Sequence, residues 1–148
     1  MERVIKKDGA NLTKNDYPLG IKRPDLLYTR TEKSYNDLNL DAALKGDIAE
    51  ADLRISPNTL EMHADISETL GRPQLAKNFR RAAEMINISD ARILQIYNAM
   101  RPNRSTREQL LEIADELEEE YGALENANLI REAADVYERR GRLKKDED

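Results

Sequence analysis

At 148 residues the chain suits one domain, but its core is thin: 39% of residues are hydrophobic, 36% are charged, Trp is absent and Phe occurs once, against ~45–50% apolar and ~25% charged in ordinary domains. A net charge of −5 excludes a general affinity for phosphate backbones, and the absence of Cys excludes disulfides, thiolate metal sites and cysteine nucleophiles. Helices spread over a partner's surface explain this composition better than an autonomous core does.

Residues 1–36 read as an irregular N-terminal arm. Met1–Asn11 carries no apolar run, so it offers no signal peptide. No stretch of the chain approaches the ~20 apolar residues of a membrane span, and a cytoplasmic location is expected. Gly9, Pro18, Gly20 and Pro24 interrupt any regular element. Within this stretch Tyr17-Pro18-Leu19 and Leu26-Leu27-Tyr28 are short apolar patches, which suit an arm lying along another surface rather than a disordered tail.

Residues 37–148 read as a helical domain. Leu40–Lys45 is a short helix closed by Gly46, a residue that tolerates the left-handed conformation after a helix. Ser56-Pro57 supplies an N-cap and a proline at the first helical position, and that helix runs to Leu70 and stops at Gly71. Pro73 opens the next, with Leu75, Phe79, Ala82 and Ile86 in one stripe, Ala76 and Ala83 beside it, and Lys77, Asn78, Arg80, Arg81 and Glu84 opposite.

Ser89 starts a helix carrying Ile93, Ile96, Tyr97 and Met100 on one face, and Pro102 ends it near Arg101. Ser105-Thr106-Arg107-Glu108 reads as a capping box. The helix it opens places Leu110, Ile113, Ala114, Leu117 and Tyr121 on one arc, with Glu112, Asp115, Glu116 and Glu119 facing water. A last helix from about Leu124 to Arg140 buries Ile130, Ala133, Ala134 and Tyr137, and Leu129 and Val136 widen its stripe to about half the circumference. No β-type alternation competes with these patterns. The expected fold class is all-α.

The sequence holds little chemistry. Its six glycines are isolated, so it has neither a P-loop nor a dinucleotide fingerprint. His63 is the single histidine, which excludes a paired Glu-x-x-His di-iron site. Around it the chain reads Glu61-Met62-His63-Ala64-Asp65-Ile66, without the Asp-x-His-x-x-Gly pattern of a base-off cobalamin site. At 100° per residue His63 lies within the arc of Leu60, Ile66 and Leu70, as a packed imidazole does. The basic run Arg139, Arg140, Arg142, Lys144, Lys145 closes a helix, where cations offset the dipole. It lacks interleaved aromatics and is followed by Asp146-Glu147-Asp148, so nucleic-acid binding through it, or through Arg80 and Arg81, is not expected. No catalytic, cofactor-binding or metal-ligating residue is assigned to this chain.

Several segments together carry a resemblance. They are Asp16-Tyr17-Pro18-Leu19; Asp52 through Leu60; Asn78-Phe79-Arg80-Arg81-Ala82-Ala83-Glu84; Arg92 through Pro102 with Arg104-Ser105; Leu110 through Glu118; and Arg131-Glu132-Ala133-Ala134 with Tyr137. Over Asp16 to about Lys145 the chain resembles the small subunit of the adenosylcobalamin-dependent diol and glycerol dehydratases. The resemblance implies an assembly with two copies each of large, medium and small subunits. Substrate would sit in the large subunit's TIM barrel and adenosylcobalamin between large and medium subunits, with no cofactor bound by this chain alone.

The reaction so implied is radical dehydration of propanediol or glycerol to an aldehyde and water, in a bacterial cytoplasm. Some diol dehydratase small subunits carry a long N-terminal extension linked to packaging in microcompartments. The short start before Asp16 speaks against packaging by this chain. Tyr17, Pro18 and Leu19 of the arm and Arg101, Pro102 and Arg104 of the later loop are the expected partner-facing residues, since aromatic and arginine side chains dominate interface energetics. The competing reading is a stand-alone helical adaptor between other proteins.

Overall fold

The structure, a computed structural model, describes residues 11–145. The first ten residues of the expected arm and the acidic Asp146–Asp148 lie outside the described residues. The fold is all-α, and among the described residues the only β-type contact is an isolated antiparallel bridge between Tyr28 and Ser34. No described helix is long and apolar enough to cross a membrane. The chain forms two compact units, the first ending at Ala83 and the second beginning at Glu84.

In the first unit, short helical turns and two short helices precede the longer ones: α1 (Leu19–Lys22), α2 (Leu40–Lys45), α3 (Pro57–Thr69) and most of α4 (Pro73–Met85). Local chemistry places each end. Asn39 accepts from the Ala42 N–H to cap α2, and Gly46 closes it at φ 79°. Pro57 begins α3 as expected, but the Ser56 side chain makes no capping hydrogen bond. Its proline, with φ already preset, opens the helix without that help. Gly71, at φ 67°, follows the end of α3.

The core of this unit is small: Leu12, Leu19, Leu27 and Ile66 are buried together, with Leu26 and Met62 packed against them. Residues of the arm thus build the core that α3 completes. On α4 the buried positions are Ala76 and Ala83, one heptad apart, whereas Leu75 stays exposed. The stripe is therefore centred one residue later than the sequence suggests, because the side chains at 76, 79 and 83 share the inward arc.

The second unit contains α5 (Asp90–Ala99), α6 (Arg107–Glu119) and α7 (Leu124–Arg140). Ile88, Leu110, Ile113, Ala114, Leu117, Ala123, Ala127, Ile130 and Ala134 form its core, against which Ile93, Ile96, Met100, Tyr121, Tyr137 and Leu143 pack. Alanine at 114, 127 and 134 brings the antiparallel α6 and α7 close. Tyr97 is a correction: it is exposed on α5 rather than inward. The capping box sits one residue later than read. Thr106 accepts from the Gln109 N–H, and Gln109 Oε1 accepts from the Thr106 N–H. Ser105 is buried instead and donates to the Ala99 carbonyl at 2.8 Å.

Candidate partner interface

Most of the first unit's large apolar side chains are not used by its own core. Ile21, Leu40, Leu44, Leu53 and Ile55 are 66–79% exposed, and Tyr17 is 55% exposed. Leu40 and Leu44 stand one turn apart on α2, so they share a face. Such a face is of the kind that a partner commonly covers.

The backbone around these residues is pinned rather than loose. Asp52, buried, accepts from Lys33 Nζ at 2.7 Å, from the Ala49 N–H at 2.7 Å and from the Thr31 hydroxyl. Lys33 Nζ also donates to the Asp47 carbonyl. One carboxylate therefore ties the Tyr28–Ser34 turn to the segment that carries Leu53 and Ile55. These donors, led by Lys33 and then Thr31, hold the Asp52 pKa down at about 2.

His63 lies in the same unit. Its ring stacks on Phe79 with centroids 5.5 Å apart and meets Tyr17 edge-on at 6.3 Å. Burial lowers its pKa, which keeps it neutral at physiological pH. Beside it, Arg80 pairs with Glu61, Asp65 and Glu68 at 2.6–3.6 Å. Its guanidinium, expected on the face of α4 opposite the stripe, is spent on α3 and cannot serve as a phosphate contact.

The expected interface residues separate into different environments. Tyr17 and Pro18, joined by a cis peptide bond, are exposed. Leu19 is a correction: at 3% exposure it packs in the chain's own core and has no surface to offer a partner. Arg101, Pro102 and Arg104 are exposed on the turn between α5 and α6. There the Asn103 N–H donates to the Arg142 carbonyl at 2.7 Å and the Lys144 N–H to the Ser105 carbonyl at 2.8 Å. Among the described residues no group of three His, Cys, Asp or Glu side chains is arranged to hold a metal ion.

Residues 12–144 match the family described as the dehydratase small subunit. The chain belongs to that family. It is 47% identical over 133 residues to the propanediol dehydratase small subunit of Salmonella typhimurium strain LT2, covering 90% of this chain and 77% of that protein. It is 46% identical over 145 residues to the propanediol dehydratase small subunit of Citrobacter freundii, covering 97% and 84% of the two chains.

In this small subunit the exposed apolar residues Leu40, Leu44, Leu53 and Ile55 fall inside the matched span. The sequence pattern marks α2 but not the exposure of its leucines. The available signal was their i, i+4 spacing on a helix too short to build its own stripe. Conversely, the broad stripe of α7 is mostly consumed internally, since Ile130 and Ala134 are buried and the Tyr137 hydroxyl donates to the Met100 carbonyl at 2.7 Å. The largest group of open apolar side chains lies in residues 17–55, with Leu94, Tyr97 and Leu124 also exposed in the second unit.

Proposed function

We propose that this chain is the small, non-catalytic subunit of a coenzyme-B12-dependent propanediol or glycerol dehydratase, acting in the bacterial cytoplasm by supporting assembly with large and medium subunits, two copies of each. The observation that carries the reading is the conjunction of family membership with the open apolar surface of Ile21, Leu40, Leu44, Leu53 and Ile55. Such a surface is costly in a free protein and useful in a subunit.

The adenosylcobalamin of such an enzyme supplies the radical that starts dehydration of the diol. The described side chains of this small subunit offer little support for binding that group here. Its one imidazole is stacked on Phe79 and partly buried, and the hollows beside Arg104 and beside Lys33 are wide open to solvent. The cofactor belongs between the large and medium subunits, and the role of this chain is to complete the protein surface around them.

Co-expression of a tagged small subunit with its genomically neighbouring large and medium subunits tests the reading. Stoichiometric co-purification and cobalamin-dependent aldehyde formation are expected. Purification of the tagged chain alone, with full activity in the complex that lacks it, would favour a free-standing adaptor.

A further inference from the structure

Two stretches far apart in sequence meet at one end of the second unit. The turn Arg101–Arg104 and the segment Gly141–Lys145 after α7 run side by side, held by hydrogen bonds from the Asn103 N–H to the Arg142 carbonyl and from the Lys144 N–H to the Ser105 carbonyl. Leu143 turns in against the core, while Arg142 and Lys144 on either side of it remain exposed. Arg101 and Arg104 are exposed beside them.

Two carboxylates of α7 are occupied by another arginine. Asp135 and Glu138 both pair with Arg107, at 2.8 and 3.2 Å. Among the described residues no carboxylate forms an ion pair with Arg101, Arg104, Arg142 or Lys144. Glu112 lines the same depression as Arg104, Ser105 and Asn98, a hollow of about 470 Å³, and is the one acidic side chain there. Within a chain of net charge −5, these four cations thus stand without an ion-pair partner among the described residues.

The backbone under these cations is fixed, by Pro102, by Asn103 at φ 63° and by the two hydrogen bonds between the turn and the segment after α7. A rigid base lowers the entropy lost when long side chains engage a partner. Three of the four cations are arginines, whose planar fork matches a carboxylate with two parallel hydrogen bonds.

We propose that this basic end is a docking surface for a carboxylate-rich surface of a partner subunit in the dehydratase complex, distinct from the apolar surface of the first unit. The proposal rests on the subunit reading above. An acidic protein surface suits it better than nucleic acid. A net negative chain is repelled by a polyanion at long range, whereas a local patch on a partner meets only the local field. Bases would also need stacking aromatics, and the turn and the segment beside it contain none.

The test is the rate at which the purified small subunit joins a complex of large and medium subunits, followed against ionic strength. The triple variant Arg101→Gln, Arg104→Gln, Arg142→Gln is compared with the unaltered chain. Roughly tenfold slower association at low salt, a flatter salt dependence and an unchanged circular dichroism spectrum are expected. A chain ending at Lys145, without its last three carboxylates, should associate at least as fast as the full chain.

Equal rates for variant and unaltered chain would overturn the docking surface while leaving the subunit reading intact. Slower association of the truncated chain would overturn it too, by making the tail the binding element. Failure of the unaltered chain to join the complex would defeat both. A salt-sensitive shift of duplex DNA by the unaltered chain, lost in the variant, would assign the patch to nucleic acid instead.

Discussion

Asp52 shows how much a single side chain organises in a protein with few large core residues. Its carboxylate satisfies three donors from two separate segments, and Leu53 and Ile55 follow closely after it. Its pKa of about 2 lies below the ordinary 3.8. A depressed carboxylate contributes stability that is complete above its unfolded pKa and is lost as pH falls through the folded value. The Asp52 contribution should therefore be full above about pH 5 and vanish towards pH 2. Thermal melts of Asp52→Asn across pH 2–7 should show lower stability at neutral pH and a smaller loss on acidification. Parallel pH profiles for the two proteins would remove Asp52 from this role.

His63 makes the opposite case at the same scale. It is the residue a search for chemistry would choose first, yet its ring is used for packing on Phe79 and Tyr17. His63→Gln in the assembled enzyme should leave turnover within a few-fold, with some loss of thermal stability. A fall of ~10³-fold without loss of assembly, the size expected of a catalytic group, would contradict this.

At the scale of the helices, the start of α7 carries a feature that sequence patterns do not reveal. Ala123 precedes it and can offer no side-chain cap. Glu84, 41 residues earlier, accepts from the Glu125 and Asn126 N–H groups at 2.9 and 3.0 Å and from Asn126 Nδ2 at 2.7 Å. A negative charge there also opposes the positive end of the helix dipole. The expected water-facing position of Glu84 on α4 is thus corrected by a contact of long sequence separation.

Glu84→Ala should cost about 1–2 kcal/mol, as loss of charge-assisted bonds to a helix start does, and Glu84→Gln less. Thr106→Ala should cost about 1 kcal/mol through the local box. Chemical denaturation of the two single variants and the double variant measures both, and near-additivity is expected because the two caps share no partner. The comparison also marks what the sequence made legible. Helix ends set by neighbours, such as Gly46, Pro57, Pro73 and Ser89, could be read directly. The start of α7, set by the distant Glu84, could not, nor could the turn that brings Ser105 back to the Ala99 carbonyl. Register within a helix was readable to about one residue, which suffices for Leu110, Ile113 and Leu117 but misplaces Leu75 and Tyr97.

Across the whole molecule the apolar budget is divided unevenly. The second unit buries nine core residues around α6 and α7, whereas the first unites four and leaves Ile21, Leu40, Leu44, Leu53 and Ile55 open. Thin composition and scarce aromatics signalled a shortage of core, but periodicity alone placed the surplus on α7, because it cannot tell a stripe covered by a neighbouring helix from one left bare. Deleting residues 1–30 is consequently no clean test of docking: it removes Leu12, Leu19 and Leu27, three of the four residues buried in the first unit's core. Surface substitutions isolate docking from folding. Leu40→Ser with Leu44→Ser, and separately Leu53→Ser with Ile55→Ser, change exposed positions and should alter the isolated chain's melting temperature little while reducing its self-association. In the complex the same changes should weaken retention on the partner by ~10-fold or more per pair, since one buried leucine contributes roughly 1.5–3 kcal/mol. Adding partner subunits should raise the melting temperature of the unaltered chain by mass action and raise that of the variants less. Variants that co-purify as fully as the unaltered chain would show that the open surface of residues 21–55 serves some purpose other than holding this subunit in its complex.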